Sequence, residues 1–302
     1  MKRFKGLLWL IVIVVVMFGL DFLLRPIYYL NEWAYFQEWK HGVESRDVTV
    51  SGIRMHYIAE GPAGGRPVVL VHGLGVRAEE WTALAPYLVH AGYRVYMPDL
   101  PGYGRSQKPA DFSYSVHDEA VMVVEFMDAL GLKHVDLGGW SMGGGIVQHV
   151  ALDHPDSIRK LILFDAVGLK EPPQFDTRLF TPENADQLFQ LQTLLSPHPV
   201  PLPRFIVRDV LKVSHRNEWV VKRAIASMLT GSDATDSILP QLKMPVLIVW
   251  GSEDRIFPVS QAEKMHRLVP QSELDIVPGC GHLAPKECTA QIGPAVVAFE
   301  KQ

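Results

Sequence analysis

Distinct hydrophobic patterns follow one another along the chain. Residues 7–24, "LLWLIVIVVVMFGLDFLL", are apolar or small throughout except for Asp21. At ~1.5 Å per residue these positions make a helix of about 27 Å, close to the hydrocarbon thickness of a bilayer. No polar stripe breaks the run before Asp21, as a core helix would require, and no small-residue cleavage site follows it. Residues 25–42, "RPIYYLNEWAYFQEWKHG", are rich in aromatics, and helical spacing places Tyr29, Trp33 and Phe36 on one face. Such amphipathic rings suit a headgroup layer, and they equally suit a helix packed on a soluble domain.

From residue 43 the period shortens. "DVTVSGIRMHYIAEG" alternates as two half-buried strands joined at Ser51-Gly52. "RPVVLVHG", "YRVYMPDLPG", "HVDLGG", "IRKLILFDA", "MPVLIVWG" and "SELDIVPG" read as short buried strands of the parallel type. Helical patterns separate them at roughly 78–91, 115–130, 142–153, 260–268 and 286–300. This alternation predicts an α/β fold, a mostly parallel sheet with helices on both faces. Between Gly168 and Pro240 no strand pattern appears, and helical spacing recurs around 183–195, 204–213 and 217–229. The expected organisation is therefore a membrane anchor over 1–25, an aromatic-rich juxtamembrane segment over 26–42, a core formed by 43–167 and 241–302, and a helical cap over 168–240. Within the cap, Phe180, Phe189, Leu191, Leu195, Phe205 and Ile206 are candidates either for a channel lining or for the cap's own core.

Composition narrows the partners. Net charge is −4, from 29 basic and 33 acidic side chains, and no basic stripe interleaved with aromatics occurs, so nucleic acid is not an expected partner. Lys2, Arg3 and Lys5 precede the apolar run, while its C-terminal flank mixes Arg25, Glu32, Glu38 and Lys40. That bias places the N-terminus in the cytoplasm and the main body on the outer side of a cell membrane, crossed once. Gly19 offers a small surface on which the anchor could pair with a second copy as a homodimer. The two cysteines, Cys280 and Cys288, do not make a disulfide framework and read as buried free thiols, although they could pair in an oxidising compartment.

The chemistry concentrates in "GWSMG", residues 139–143. A serine on a sharp strand-to-helix turn occupies a strained backbone conformation that leaves no space for side chains two positions away, and Gly139 and Gly143 supply that space. Ser141 is then displayed at the sheet's edge, with the Met142 amide at the helix start beside it. The "VHGLG" loop, residues 71–75, can aim the Leu74 amide at the same point, completing a two-donor oxyanion hole. Serine needs a base near neutral pKa. His282 in "GCGH" follows the last strand and is the candidate, whereas His72 lies in the loop expected to supply backbone donors. Asp254 in "GSEDRIFPV" is the candidate acid, with Asp165 and Glu253 as rivals. Asp99, in "DLPGYGRS", reads as part of a loop-shaping segment. No phosphate-binding G-K-[ST], no dinucleotide G-x-G-x-x-G and no zinc spacing occurs, so neither metal nor cofactor is expected.

Taken together, "VHGLG", "DLPGYGRS", "GWSMGG", "GSEDRIFP" and "GCGH" resemble the α/β-hydrolase superfamily over about residues 43–300. The resemblance implies Ser141 as nucleophile, His282 as base, Asp254 as acid and the Leu74 and Met142 amides as oxyanion donors. It also implies an eight-stranded sheet whose second strand is antiparallel, with a cap over the pocket. With its anchor the chain is similar to membrane-bound monoacylglycerol lipases and to bacterial lipases and phospholipases. That similarity implies a serine hydrolase acting on carboxylic esters of glycerolipids or lysophospholipids. Serine at position 141 disfavours the haloalkane dehalogenase and epoxide hydrolase branches. Carbon–carbon bond hydrolases and cofactor-free haloperoxidases carry the same serine motif and stay open, as does a catalytically silent binding protein.

Overall fold

In the computed structural model, which describes residues 14–302, the apolar runs become strands β1 (Glu44–Val50), β2 (Ile53–Glu60), β3 (Arg66–Val71), β4 (Tyr93–Pro98), β5 (Val135–Trp140), β6 (Ile158–Phe164), β7 (Val246–Gly251) and β8 (Ser272–Val277). They form one eight-stranded sheet in the order β1-β2-β4-β3-β5-β6-β7-β8. β2 is antiparallel to both neighbours and every other pairing is parallel. Ser51 and Gly52, at φ 47° and 80°, make the tight turn that pairs Val50 with Ile53. Two consecutive positive φ values match the right-handed twist of a hairpin, which explains the serine–glycine pair.

The helices are α1 (Val14–Leu24), α2 (Pro26–Lys40), α3 (Ala85–His90), α4 (Val116–Ala129), α5 (Met142–Asp153), α6 (Ala185–Leu195), α7 (Arg204–Thr230), α8 (Val259–Leu268), α9 (Ala284–Glu287) and α10 (Thr289–Lys301). Side-chain alternation along the strands divides the core in two. Val69, Val71, Leu137, Leu161 and Leu163 face α4 and α5, together with Ile146, Val147 and Phe126. Val68, Leu70, Ile162 and Phe164 face the opposite layer, with Trp81, Leu88, Ile292 and Phe299. Both faces of the central strands are therefore dry, as their unbroken apolar sequences require. The start of α4 is set by Ser115, whose hydroxyl accepts from the Asp118 amide at 3.0 Å.

Several sequence expectations change. The helix expected over 78–91 is a 3₁₀ turn followed by the short α3. The two helices expected at 204–213 and 217–229 are one continuous α7 of 27 residues. No glycine or proline separates the two periodic stretches, so nothing stops the helix. The final helix divides into α9 and α10 at Cys288, which is bonded to Cys280 in a disulfide spanning 8 residues, contrary to the free-thiol reading. Close spacing in sequence carried no information on whether the two side chains face each other; the turn back from β8 decides it.

Of the expected anchor, residues 1–13 lie outside the described residues. Among the described residues no single helix is long and apolar enough to cross a membrane; α1 and α2 form a pair bent by 99°. The bend falls at Arg25-Pro26, where proline lacks the amide needed to continue the first helix. Tyr29 does not join Trp33 and Phe36 but turns back onto Phe18, at 5.1 Å between ring centroids. The exposed row on α2 is instead Trp33, Phe36 and Trp39. Polar contacts hold α2 to the body: Arg77 donates to Asn31 at 2.8 Å, and the Ile27 amide donates to Asp209 at 3.0 Å.

Candidate active site

Ser141 sits between β5 and α5 at φ 55° and ψ −119°, a region costly for any residue with a side chain. Backbone hydrogen bonds hold it there. The Ser141 amide donates to Phe164 at 2.9 Å, and its carbonyl accepts from Gly144 at 2.9 Å and Val167 at 3.0 Å. The flanking glycines are structurally obligatory. A Cβ on Gly139 would lie 2.6 Å from the Gly143 carbonyl carbon, and one on Gly143 would lie 2.5 Å from the His72 carbonyl oxygen.

Loops after β7 and β8 bring two further side chains to this turn. His282 Nε2 lies 3.0 Å from Ser141 Oγ, and Nδ1 lies 2.8 Å from Asp254 Oδ2. Asp254 Oδ1 accepts from the amides of Ile256 at 2.7 Å and Phe257 at 3.0 Å. All three side chains are buried. An acceptor-only carboxylate thus holds Nδ1–H and leaves the Nε2 lone pair toward the serine hydroxyl. Trp140, immediately before the serine, donates its indole N–H to the His282 carbonyl at 2.8 Å. This brace was not found from sequence; a buried tryptophan with a polar edge one residue before the serine is the only signal it leaves. The disulfide closes the same segment two residues before His282.

The rivals fall elsewhere. Glu253 is exposed. Asp165 is buried at the end of β6, accepts from the Gly251 amide at 2.8 Å, and makes no hydrogen bond to the imidazole. Burial, reinforced by the charge of Asp254, pushes its carboxyl well up, so Asp165 holds its proton. Oxygens of Asp165 and Asp254 and a nitrogen of His282 nevertheless come within 4.8 Å of one another, a grouping that no local spacing reveals because three strand ends supply it. His72 is fully buried, and burial drives its pKa down, so the ring is neutral. In that state Nδ1–H donates to the Gly73 carbonyl at 2.8 Å and Nε2 accepts from the Leu100 amide at 3.1 Å. His72 shapes the Leu74 loop. Asp99 likewise accepts from the Ala78 and Arg105 amides at 2.8 Å each. Burial would raise its pKa, but the hydrogen bond from His56 and these amides outweigh that and bring it to about 2.

Leu74, Ser141 and Met142 line one cavity of about 480 Å³ that runs beneath the inserted segment, past Leu169, Phe175, Phe180 and Met228. Of the six cap side chains considered from sequence, only Phe180 belongs to this wall; Phe189 is exposed and Phe205 packs on Phe22. Among the described residues Lys170 is the one cation of the lining, alongside the carboxylates of Glu171 and Asp233. The Met142 amide begins α5 and has no partner within its own helix, so it is available to a ligand at that mouth.

Comparison with known proteins places the chain in a family. A family model described as the alpha/beta hydrolase fold matches residues 66–206 and 229–287. Lipase 1 of Psychrobacter immobilis is 25% identical over 86% of this chain and 85% of its own length. The 2-hydroxymuconate semialdehyde hydrolase of Pseudomonas putida is 28% identical over 78% of this chain and 87% of its own. Among solved structures, a membrane phospholipase A described as a bacterial virulence factor superposes with a TM-score of 0.83 and 26% identity, covering 100% of both chains.

Proposed function

As a member of the α/β-hydrolase family, the chain is a hydrolase of small organic substrates, and we propose that Ser141, His282 and Asp254 cleave carboxylic esters of lipid-like substrates through an acyl-enzyme. The observation that carries this reading is the continuous contact from Asp254 to His282 at 2.8 Å and from His282 to Ser141 at 3.0 Å. Ser141 Oγ attacks the ester carbonyl as His282 Nε2 takes its proton, and the Leu74 and Met142 amides hold the oxyanion. His282 then returns that proton to the leaving alcohol. Water, deprotonated by the same nitrogen, attacks the acyl-enzyme and frees the acid and the serine. Each oxyanion donor contributes about 3 kcal/mol in comparable sites.

The largely apolar lining supports a neutral acyl chain. The exposed row Trp33, Phe36 and Trp39 and the apolar stretch 7–24 support attachment to a membrane, with the hydrolase body on the outer side. The disulfide supports an oxidising compartment. The similarity to the membrane phospholipase A supports the same direction.

A second reading is hydrolysis of a carbon–carbon bond beside a carbonyl, and the curated relatives favour it, 2-hydroxymuconate semialdehyde hydrolase and others among them. Lys170 is the lining group that would receive an acidic substrate. Rates on monoacylglycerols, lysophospholipids and a vinylogous diketone acid, with wild type and Ser141→Ala, separate the two. The ester reading expects turnover of the acyl esters, its loss in Ser141→Ala, and fluorophosphonate labelling of wild type alone. Turnover of the diketone acid with none of the esters would overturn it in favour of the second reading.

A further inference from the structure

A second constellation lies on the layer formed by α4 and α5, and the hydrolytic reaction makes no use of it. His117 stands in the first turn of α4. His149 and Asp153 stand four residues apart on α5, so they share one face of that helix. Each of the three side chains offers one nitrogen or oxygen, and all three atoms lie within 4.8 Å of one another. The two rings meet edge to face, with centroids 5.8 Å apart and an interplanar angle of 85°. His149 is buried, while His117 and Asp153 are exposed. An exposed histidine adds nothing to either core, so packing does not account for its approach to His149.

His149 is also oriented from outside the cluster. Its Nε2 lies 3.0 Å from the carbonyl oxygen of Asp233, a contact in which the imidazole must donate. In that tautomer Nδ1 carries no proton and is a competent donor to a metal. A backbone carbonyl holding the distal N–H is the usual support of a metal-bound imidazole, because it fixes both tautomer and ring plane. Two imidazoles and one carboxylate suit borderline divalent ions such as Zn²⁺, leaving a fourth position for water. With metal–ligand bonds of about 2.0–2.1 Å, tetrahedral ligands are separated by about 3.3 Å. Closing from the present envelope requires rotamer adjustment mainly of His117 and Asp153, the two side chains free to move at the surface.

We infer that His117, His149 and Asp153 form a binding site for a divalent transition-metal ion of the Zn²⁺ class, separate from the serine site. The site is joined to the substrate cavity by one residue. Asp233, whose carbonyl orients His149, accepts the Val116 amide at 3.1 Å through its side chain and lines the cavity wall. A bound ion would therefore cross-link α4, α5 and the segment following α7.

The test uses the full chain in detergent micelles, stripped with a chelator and titrated with ZnCl₂ by calorimetry and by thermal melting. One-to-one saturable uptake that raises the melting midpoint is expected, since an ion that binds only the folded state stabilises it. His117→Ala and Asp153→Ala, both at exposed positions, are expected to weaken binding about tenfold or more. Fluorophosphonate labelling of Ser141 should proceed at the wild-type rate in both metal-free variants. Absence of saturable uptake overturns the inference, as does uptake of equal affinity in wild type and both variants. Uptake lost on His282→Ala but kept in His117→Ala also overturns it, by assigning the ion to Asp165, Asp254 and His282.

Discussion

Replacing Gly143 by alanine tests the strand-to-helix turn against the backbone of the neighbouring strand end. The added methyl would strike the Val71 carbonyl oxygen and lie 2.5 Å from the His72 carbonyl oxygen and 2.9 Å from the Val71 carbonyl carbon. A relaxed carbon contact is about 3.5 Å, so the two segments must separate by roughly 1 Å. Both obstacles are backbone in a buried strand end, where no side chain can swing aside. Overpacking of this kind costs about 1–3 kcal/mol of stability. The larger consequence is chemical, because the shift moves Ser141 and the Met142 amide relative to His282 and Leu74. A displacement near 1 Å costs about 100-fold in rate, or about 2.7 kcal/mol of transition-state stabilisation. Gly145→Ala is the control: its methyl would lie 2.6 Å from Val167 Cγ2, the end of a side chain, and a loss below about tenfold is expected. The assay is kcat/KM on p-nitrophenyl butyrate, with fluorophosphonate titration to count competent sites and a thermal midpoint to establish folding. A folded Gly143→Ala enzyme retaining kcat/KM within about threefold of wild type would refute the geometric argument.

Three further outcomes follow from other parts of the fold. Asp254→Asn should lower kcat by about 10⁴, whereas Asp165→Asn should stay within a few-fold, since Asp165 already holds its proton; equal losses in kcat would contradict the assignment. Burial raises Glu300 to about 7. The folded state therefore binds the extra proton, and stability falls as pH climbs from about 4.5 through about 7. Glu300→Gln removes this loss, so urea midpoints should show the variant no more stable than wild type at pH ~4 and about 3 kcal/mol more stable at pH ~8; a constant difference would exclude the linkage. Reducing the Cys280–Cys288 bond, which closes a loop of 8 residues, should cost about 2.5 kcal/mol of stability, read from urea midpoints with and without reductant. It should also lower kcat/KM by loosening the segment that carries His282, and an unchanged kcat/KM would show that Trp140 alone suffices to hold it.

Local physics made much of this molecule legible before any fold was known. Unbroken apolar runs such as "RPVVLV" and "VLIVW" announce strands buried on both faces, and the observed sheet buries them so. Ser51-Gly52 announces a tight turn because few dipeptides accept two positive φ values. Gly139 and Gly143 flank Ser141 because backbone lies where their side chains would be. Those features depend on residues within a few positions of one another, and a sequence records such neighbours directly.

Other features are decided by what distant segments put in the same place. His72 and His282 both stand beside glycines in sequence, and the fold completes their roles: the Leu100 amide fixes His72 as a buried brace, while Asp254 turns His282 toward the serine. Trp140 is an ordinary strand residue until the chain returns 142 positions later to offer it a carbonyl. Cys280 and Cys288 become a pair only because the turn after β8 brings the end of α9 back beside Cys280. His117 meets His149 only because α4 and α5 pack side by side. Sequence by itself determined the strands, the serine turn and the order of the chemical groups, since backbone sterics and hydrophobic periodicity act locally. Tertiary structure alone decided which groups touch, how far they are dehydrated and which protons they keep, because those quantities depend on neighbours that are remote along the chain.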